Sequence, residues 1–252
     1  MNRRRVRWFS AGAASAVATM LDVRQHGSDA GPVCYIDTGS EHEDNPRFIA
    51  DIAEWLDVEV EVLRSDKYVS VDDVIEKRRY INGQNGAPCT TWLKKKVRQA
   101  FQQPDDVQVF GYTADKLDTE RAERFAANNF EVNMVTPLIY AGMTKGNVLA
   151  IIERQGIRLP AMYELGYRNN NCIGCVKGGM GYWNKVRVDF PDVFARRAAQ
   201  EREIGATCIT DDDGPVYLDE LDPDRGDYAS EDITCSLDCL PVEAMLNEGG
   251  AA

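Results

Sequence analysis

Histidine is almost missing from this 252-residue chain: only His26 and His42 occur, isolated and without ligand spacing, so neither is assigned a role. Long apolar runs are missing as well. No stretch approaches the roughly 18 uninterrupted apolar residues of a membrane-spanning helix, although a hydrophobic content of 44% is ample for a core. Basic residues run out toward the C-terminus. From Ile209 onward Arg225 stands alone against 13 Asp and Glu, which accounts for the whole formal net charge of -12. The preceding body carries 28 acidic and 28 basic residues, so the acidic total leaves room for a locally positive active face. No internal repeat is visible.

The start of the chain, Arg3-Arg-Arg followed by an Ala-rich run to Leu21, has the outline of an export signal with paired arginines. Residues 11–18 are mostly Ala, Ser and Gly, which is weak for an apolar h-region, and removing the segment would leave no strand to replace 6–10. Seven cysteines, an odd number scattered over a mid-sized chain, fit a reducing cytoplasm better than a disulfide framework.

What is present is an alternation of strand and helix patterns. Strands are expected at Val6–Ser10, Pro32–Thr38, Val58–Leu63, Val107–Tyr112 and Met134–Leu138, with helices at Gly12–Gln25, Asn45–Leu56, Thr91–Gln102, Thr119–Ala127 and Thr144–Gln155. Such alternation predicts an α/β fold, a doubly wound parallel sheet of about five strands covered on both faces. Ligands of such sheets sit beyond the carboxyl ends of the strands, where strand order reverses. Residues 1–155 read as a nucleotide-binding domain. Residues 156–208 carry Cys172-x-x-Cys175, a glycine cluster (Gly178, Gly179, Gly181) and a helix from about Phe190. Residues 209–252 form an acidic, turn-rich C-terminal extension with a hairpin arm at 211–218 and a second Cys pair.

Chemistry concentrates at a few places. Ser10-Ala-Gly-Ala-Ala-Ser15 joins a strand to a helix; small residues there let backbone N–H groups face a phosphate, and Ser10 and Ser15 add hydroxyls. Asp37-Thr-Gly39 follows the second strand and Gly111-Tyr-Thr-Ala-Asp115 the fourth. Arg121 and Arg124, three apart, share a helix face and can clamp an anion, or else pair with Glu120 and Glu123. Cys172 and Cys175 have ligand spacing, and Cys235-x-x-x-Cys239 offers a second pair. Cys89 precedes a basic helix, whose N-terminus favours thiolate. Four thiolates suit zinc and an iron–sulfur cluster equally, and a metal-free redox pair is the third reading. Cys34, mid-strand, reads as a core residue; Cys208 has no partner spacing.

The loop, Ile36-Asp-Thr-Gly39, Gly111-Tyr-Thr-Ala-Asp115, Pro137-Leu138 and Leu159-Pro-Ala-Met-Tyr-Glu-Leu-Gly-Tyr167 ending in Ile173-Gly-Cys175 together resemble the phosphoadenosine phosphosulfate (PAPS) reductase family, within the PP-loop adenine-nucleotide α-hydrolase-like superfamily. The resemblance covers about residues 6–190. It implies an adenine nucleotide, ATP or PAPS, held over Ser10, Gly12 and Ser15, with Asp37, Thr38, Gly39 and Gly111 in the nucleotide crevice. It implies a [4Fe–4S] cluster on Cys89, Cys172 and Cys175, with Cys235 or Cys239 as fourth ligand or that position open to substrate. The loop departs from the family's Ser-Gly-Gly-x-Asp-Ser: Ala11 and Ala14 stand where Gly and Asp would, which puts Mg2+-assisted ATP cleavage in question unless Asp37 supplies the carboxylate.

The expected activity is adenine-nucleotide-dependent sulfur transfer, in which the nucleotide adenylates an acceptor, the cluster or a thiolate delivers sulfur, and Lys95, Arg121 and Arg124 neutralise developing charge. The second reading is reductive cleavage of PAPS or adenylyl sulfate with Cys239 as nucleophile, although Asp238-Cys-Leu240 is a poor likeness of the family's Glu-Cys-Gly. The third is a non-catalytic nucleotide sensor. Implied partners are a sulfur or electron donor protein and a tRNA or DNA acceptor. Two basic runs, Glu76–Arg79 and Lys94–Arg98 with Tyr80 and Trp92 nearby, fit a nucleic-acid backbone, the nucleotide's own phosphates, or a solvated helix face.

Overall fold

A computed structural model describes residues 3–83 and 86–231; Cys235 and Cys239 lie outside the described residues. The chain forms two compact units. One comprises residues 3–37, 42–64 and 97–170, the other 38–41, 65–83, 86–96 and 171–231. The segment expected as one nucleotide-binding domain, 1–155, therefore gives Thr38–Glu41 and Ser65–Lys96 to the second unit.

The first unit holds a sheet of β1 (Arg5–Trp8), β2 (Val33–Ile36), β3 (Val60–Leu63), β4 (Val107–Val109) and β5 (Asn133–Val135) in the order β3-β2-β1-β4-β5. All pairings are parallel, with Arg7 opposite Val33 and Val109, Tyr35 opposite Val62, and Gln108 opposite Met134. All five expected strands are present. The fifth ends early because Pro137 opens a short helix, Pro137–Tyr140, as proline does at a first helical position. β1 is central, and strand order reverses between β1 and β4, so the loops after Trp8 and Val109 flank the switch point.

Helix α1 (Ala13–His26) packs Ala13, Ala16, Val17 and Met20 into the core with Phe9, Phe48, Ile52, Leu138, Val148 and Ile152. Its small residues let it lie close against the sheet. Its polar contribution is Asp22, buried and bound by Arg5 Nη2 at 2.5 Å and Arg7 Nε at 2.7 Å. Arg7 spends its remaining donors on the carbonyls of Gly27 and Gly31. Of the arginines that resembled an export signal, Arg5 lies in the central strand and is neutralised by Asp22 of α1, while Arg4 pairs with Asp106 at 2.6 Å. Helices α2 (Asn45–Leu56), α3 (Val71–Arg78), α4 (Lys96–Phe101), α5 (Lys116–Asn128), α6 (Pro137–Tyr140), α7 (Lys145–Arg154) and α8 (Ala161–Glu164) follow in chain order.

In the second unit the segment read as the start of one basic helix is instead a π-helix, Thr90–Lys95, running into α4. Helices α9 (Met180–Asp189) and α10 (Pro191–Ile204) precede an antiparallel hairpin of β6 (Ile209–Asp211) and β7 (Gly214–Val216). α3, α8 and α9 were not anticipated. α3 is short and mostly charged, and α9 mixes glycine and aromatics, so neither presents a clear apolar period. Glu201 on α10, fully buried, accepts the amides of Cys208 at 2.5 Å and Leu218 at 2.7 Å, pinning the hairpin arm. Burial pushes its carboxyl above the usual range, against the hydrogen bonds from Cys208 and Leu218. No helix among the described residues is long and apolar enough to cross a membrane.

Candidate nucleotide and thiol sites

The first unit places the Ser10–Ser15 loop at the switch point. β1 gives way to exposed Ser10, then to buried Ala11 at φ 54°, then to Gly12, which precedes the first turn of α1. A left-handed backbone costs an L-residue roughly 1–2 kcal/mol; here Ala11 occupies the position where the family pattern has glycine, and it is completely enclosed. The first amides of a helix have no intrahelical acceptor, and in α1 the ladder begins only with Ala16 N–H to Gly12 O at 3.0 Å. Ser15 is committed to shaping the loop: its hydroxyl accepts the Ser10 amide at 3.0 Å and donates to Gly12 O at 2.9 Å. Ser10 is exposed, with its hydroxyl 3.1 Å from that of Ser15.

Gly111, read from the sequence as a crevice residue, is required by packing. A Cβ there would sit 2.6 Å from Ser15 Cα and 2.7 Å from Ser15 N. The segment just after β4 therefore runs directly against the first turn of α1.

The motif leading to the cysteines contacts this same loop. Tyr163 takes the Ala13 and Asn170 amides on its hydroxyl, while burial pushes its phenol up. Asn170 Nδ2 donates to Ala11 O at 2.7 Å and Asn45 Oδ1 at 2.8 Å, and its own Oδ1 is buried without a hydrogen-bond partner among the described residues. Asp44 holds the lead-in through the Ala161 amide at 2.9 Å and Arg158 at 3.0 Å. Lys145, at the first turn of α7, reaches Asn169 Oδ1 at 2.8 Å and the Arg168 carbonyl, with Nζ 6.0 Å from the Tyr163 ring centroid. Sequence reasoning missed Tyr163, Asn170 and Lys145. The only signal was the length of the motif before the cysteines, longer than a Cys-x-x-Cys turn needs.

Other expected residues of this unit are engaged within it. Asp37 pairs with Arg64 at 2.7 Å. Asp115 accepts the Lys145 amide at 2.8 Å and the Thr113 hydroxyl at 2.9 Å, tying the start of α5 to the start of α7. Arg121 turns to Asp118 at 2.5 Å and lies over Tyr112 rather than pairing with Glu120 or Glu123, whereas Arg124 is exposed. The two arginines share a helix but not an environment.

The second unit gathers the thiols. Cys172 Sγ lies 3.1 Å from Thr38 Oγ1, which donates to Glu41 Oε1 at 2.6 Å; Glu41 Oε1 is itself 3.8 Å from the sulfur. With the Thr38 proton directed to the carboxylate, the thiol is the donor in the first contact. Glu41 also accepts the amides of Thr38 and Ser40, and Ile173 N–H bonds Ser40 O at 2.8 Å. Tyr182 closes the Cys-x-x-Cys turn, its hydroxyl accepting the Cys175 amide at 2.8 Å and donating to Cys172 O at 3.4 Å. Gly39 sits at φ 66°, where a Cβ would collide with the Val69 carbonyl. Thus Asp-Thr-Gly, read as a nucleotide motif, delivers Thr38 to the thiol and needs its glycine for a close backbone approach.

Cys89 lies just ahead of the π-helix, and with Cys208 it packs against the cluster of Val71, Ile75, Ile81, Leu93, Cys172 and Val176. Burial pushes the Cys208 thiol well above its ordinary range; Cys208 was set aside on spacing and proves to share a core with Cys89. Lys95, expected to offset developing charge, is buried within the π-helix. Cys34 is in the core as expected, its thiol pushed up to about 12 by burial. The five described cysteines form no disulfide with one another. Among the described residues no group of three or more His, Cys, Asp or Glu is placed to hold a metal ion. The expected further ligands Cys235 and Cys239 lie outside the described residues.

Residues 4–178 match the family model of the phosphoadenosine phosphosulfate reductase domain. The chain belongs to this family. The match spans the whole parallel sheet, the phosphate loop and the Cys-x-x-Cys. Among curated proteins the PAPS reductase-family chain is similar to the uncharacterized protein MJ0066 of Methanocaldococcus jannaschii, 24% identical over 195 residues, which is 75% of this chain. The chain spans 39% of the length of that relative.

Proposed function

We propose that the protein is an adenine-nucleotide-dependent sulfur-transfer enzyme acting in a reducing, cytoplasmic setting. The observation that carries this reading is the loop at the switch point: Ser10–Ser15 of the family domain, with exposed Ser10 ahead of the first turn of α1 and Gly111 pressed against Ser15. In the proposed reaction an acceptor attacks the nucleotide's α-phosphorus and releases pyrophosphate. The outer sulfur of a Cys172 persulfide then attacks the adenylated acceptor and expels AMP, leaving acceptor and Cys172 joined by a disulfide that a dithiol reductant cleaves to the thiolated acceptor and the free Cys172 thiol. Ser10 and the α1 amides hold phosphate charge, Tyr163 and Asn170 keep the loop in shape, and Cys172 is the sulfur-carrying thiol, positioned by Thr38 and Tyr182. A sulfur donor protein reloads Cys172.

The iron–sulfur part of the reading depends on Cys89, Cys172 and Cys175 with Cys235 or Cys239 as fourth ligand, or with that position open to sulfide or substrate. Iron, zinc and acid-labile sulfide assays on anaerobically purified protein decide it: stoichiometric iron and sulfide would establish a cluster, and their absence would leave thiol chemistry alone. The activity test uses radiolabelled ATP with a persulfide donor. Cys172→Ser is expected to abolish sulfur transfer while nucleotide affinity, read by calorimetry, stays within about twofold, since removing a nucleophile leaves binding groups in place. Sulfite release from PAPS that depends on Cys239 would replace transfer by reduction. Nucleotide binding with neither AMP nor pyrophosphate release from any acceptor would leave a sensor.

A further inference from the structure

The two basic runs are separated by some fifteen residues of sequence, yet the fold of the second unit brings them to one indole. Arg78, at the end of α3, lies with its guanidinium carbon 4.0 Å from the Trp92 ring centroid. Lys96 Nζ lies 5.5 Å from the same ring and Lys67 Nζ 5.7 Å. Tyr68 supports the group, its ring 5.5 Å from Trp92 and its hydroxyl accepting from Arg78 Nε at 2.7 Å. Lys67, Arg78 and Lys96 are exposed, Trp92 is half-buried, and Val69 beside them is 80% exposed.

The charges at this face are not neutralised from within. Neighbouring Lys77 pairs with Asp73 at 2.8 Å and Arg79 with Glu203 at 3.0 Å. Lys67, Arg78 and Lys96 have no carboxylate partner among the described residues. Three cations around one ring are separated by no more than the order of a Debye length, about 8–10 Å, so they repel one another, and the cation–π attraction offsets this only at about 0.5–1 kcal/mol each at exposed sites. In a chain of net charge -12, a knot of unneutralised cations on an aromatic face is complementary to phosphate groups attached to flat rings.

We propose that this face is a docking surface for single-stranded nucleic acid, in which Lys67, Arg78 and Lys96 contact backbone phosphates and Trp92 packs against a base. A single strand offers both phosphate charge and open base faces, whereas a duplex hides its bases and an acidic peptide has no ring to stack. A mononucleotide shares the chemistry but presents only one base, so strand length and salt dependence separate it from an oligomer. The surface does not rest on the sulfur-transfer reading: nucleotide binding and oligonucleotide binding are measured separately, and either can fail alone.

The test is fluorescence anisotropy of the full chain with labelled RNA and DNA single strands of about 16 nucleotides, the upper end of common site sizes. The combined substitution Lys67→Ala, Arg78→Ala and Lys96→Ala is expected to weaken binding by about tenfold or more and to lower the slope of log affinity against log salt by about 2. If loss of Arg78 loosens Tyr68, Lys67→Ala with Lys96→Ala gives the same test with a slope change of about 1.4, because neither lysine side chain makes a hydrogen bond or salt bridge among the described residues. Circular dichroism checks the fold, and ATP affinity is expected to be unchanged. No single-strand binding at low salt would overturn the proposal. So would unchanged affinity in both variants, tighter binding to duplex than to single strand, or variants that lose ATP affinity while ATP displaces the strand.

Discussion

Asp22→Asn is expected to lower the free energy of unfolding by about 3–5 kcal/mol, the usual effect of breaking a buried ion pair from one side. The substitution leaves Arg5 and the completely buried Arg7 on the central strand without their anion. Arg7 retains only carbonyls, which carry no net charge to offset it. Urea unfolding of wild type and variant measures the loss. Lys77→Ala, which removes an exposed helical pair with Asp73, is the control and is expected to cost less than about 0.5 kcal/mol. A loss below about 1 kcal/mol for Asp22→Asn would show that water reaches the two arginines.

The same group sets an acid limit. Burial would raise the Asp22 carboxyl, but hydrogen bonds from Arg5 and Arg7 outweigh it and hold the group below its ordinary 3.8. A carboxyl depressed in the folded state stabilises above its unfolded value and loses that stabilisation as pH falls through the folded value. The wild-type advantage over Asp22→Asn is therefore expected to be constant above about pH 5 and to shrink below about pH 4. Glu201 works in the opposite sense. Its raised carboxyl stabilises when protonated, and that contribution is lost as pH rises through the folded value.

Gly111→Ala is the second large effect, and it bears on function. The new methyl meets the backbone of Ser15 at 2.6–2.7 Å. Nothing flexible stands there to move aside, so either β4 or the first turn of α1 shifts. Overpacking of this kind costs about 1–3 kcal/mol, and the shift carries Ser15 away from the Ser10 amide and Gly12 carbonyl it ties together. ATP affinity by calorimetry is expected to fall at least about tenfold, because misplacing oriented groups by the order of 1 Å is enough to lose their interaction. Gly146→Ala in α7, where the nearest contact is the Thr144 hydroxyl at 3.8 Å, is the control and is expected to leave both stability and affinity intact. Unchanged ATP affinity in Gly111→Ala would exclude the Ser10–Ser15 loop as the phosphate site.

Much of this was readable in advance. Val6, Val33, Val60, Val107 and Met134 lie in short apolar blocks separated by helical patterns, and a strand–helix alternation of that length has few ways to bury itself other than a parallel sheet. The small residues of Ser10–Ser15 marked the loop, because only small side chains let backbone and neighbouring strand approach so closely. Roles within the site were less readable. Ser15 looked like a phosphate donor and is a loop tie; Gly39 looked like a nucleotide contact and makes room for the Val69 carbonyl. In both cases a residue type was legible and its partner was not.

The sequence by itself determined the parallel α/β fold, the family, the buried Cys34 and the existence of two basic runs, because local periodicity and short motifs carry that information. Only the tertiary structure decided that Tyr163 and Asn170 close on the phosphate loop, that Thr38 and Glu41 meet Cys172, that Cys208 joins Cys89, and that Lys67, Arg78 and Lys96 converge on Trp92. The reason is physical: each of these groupings joins residues distant in the chain, and their contact follows from how the helices and loops pack, which no local pattern specifies.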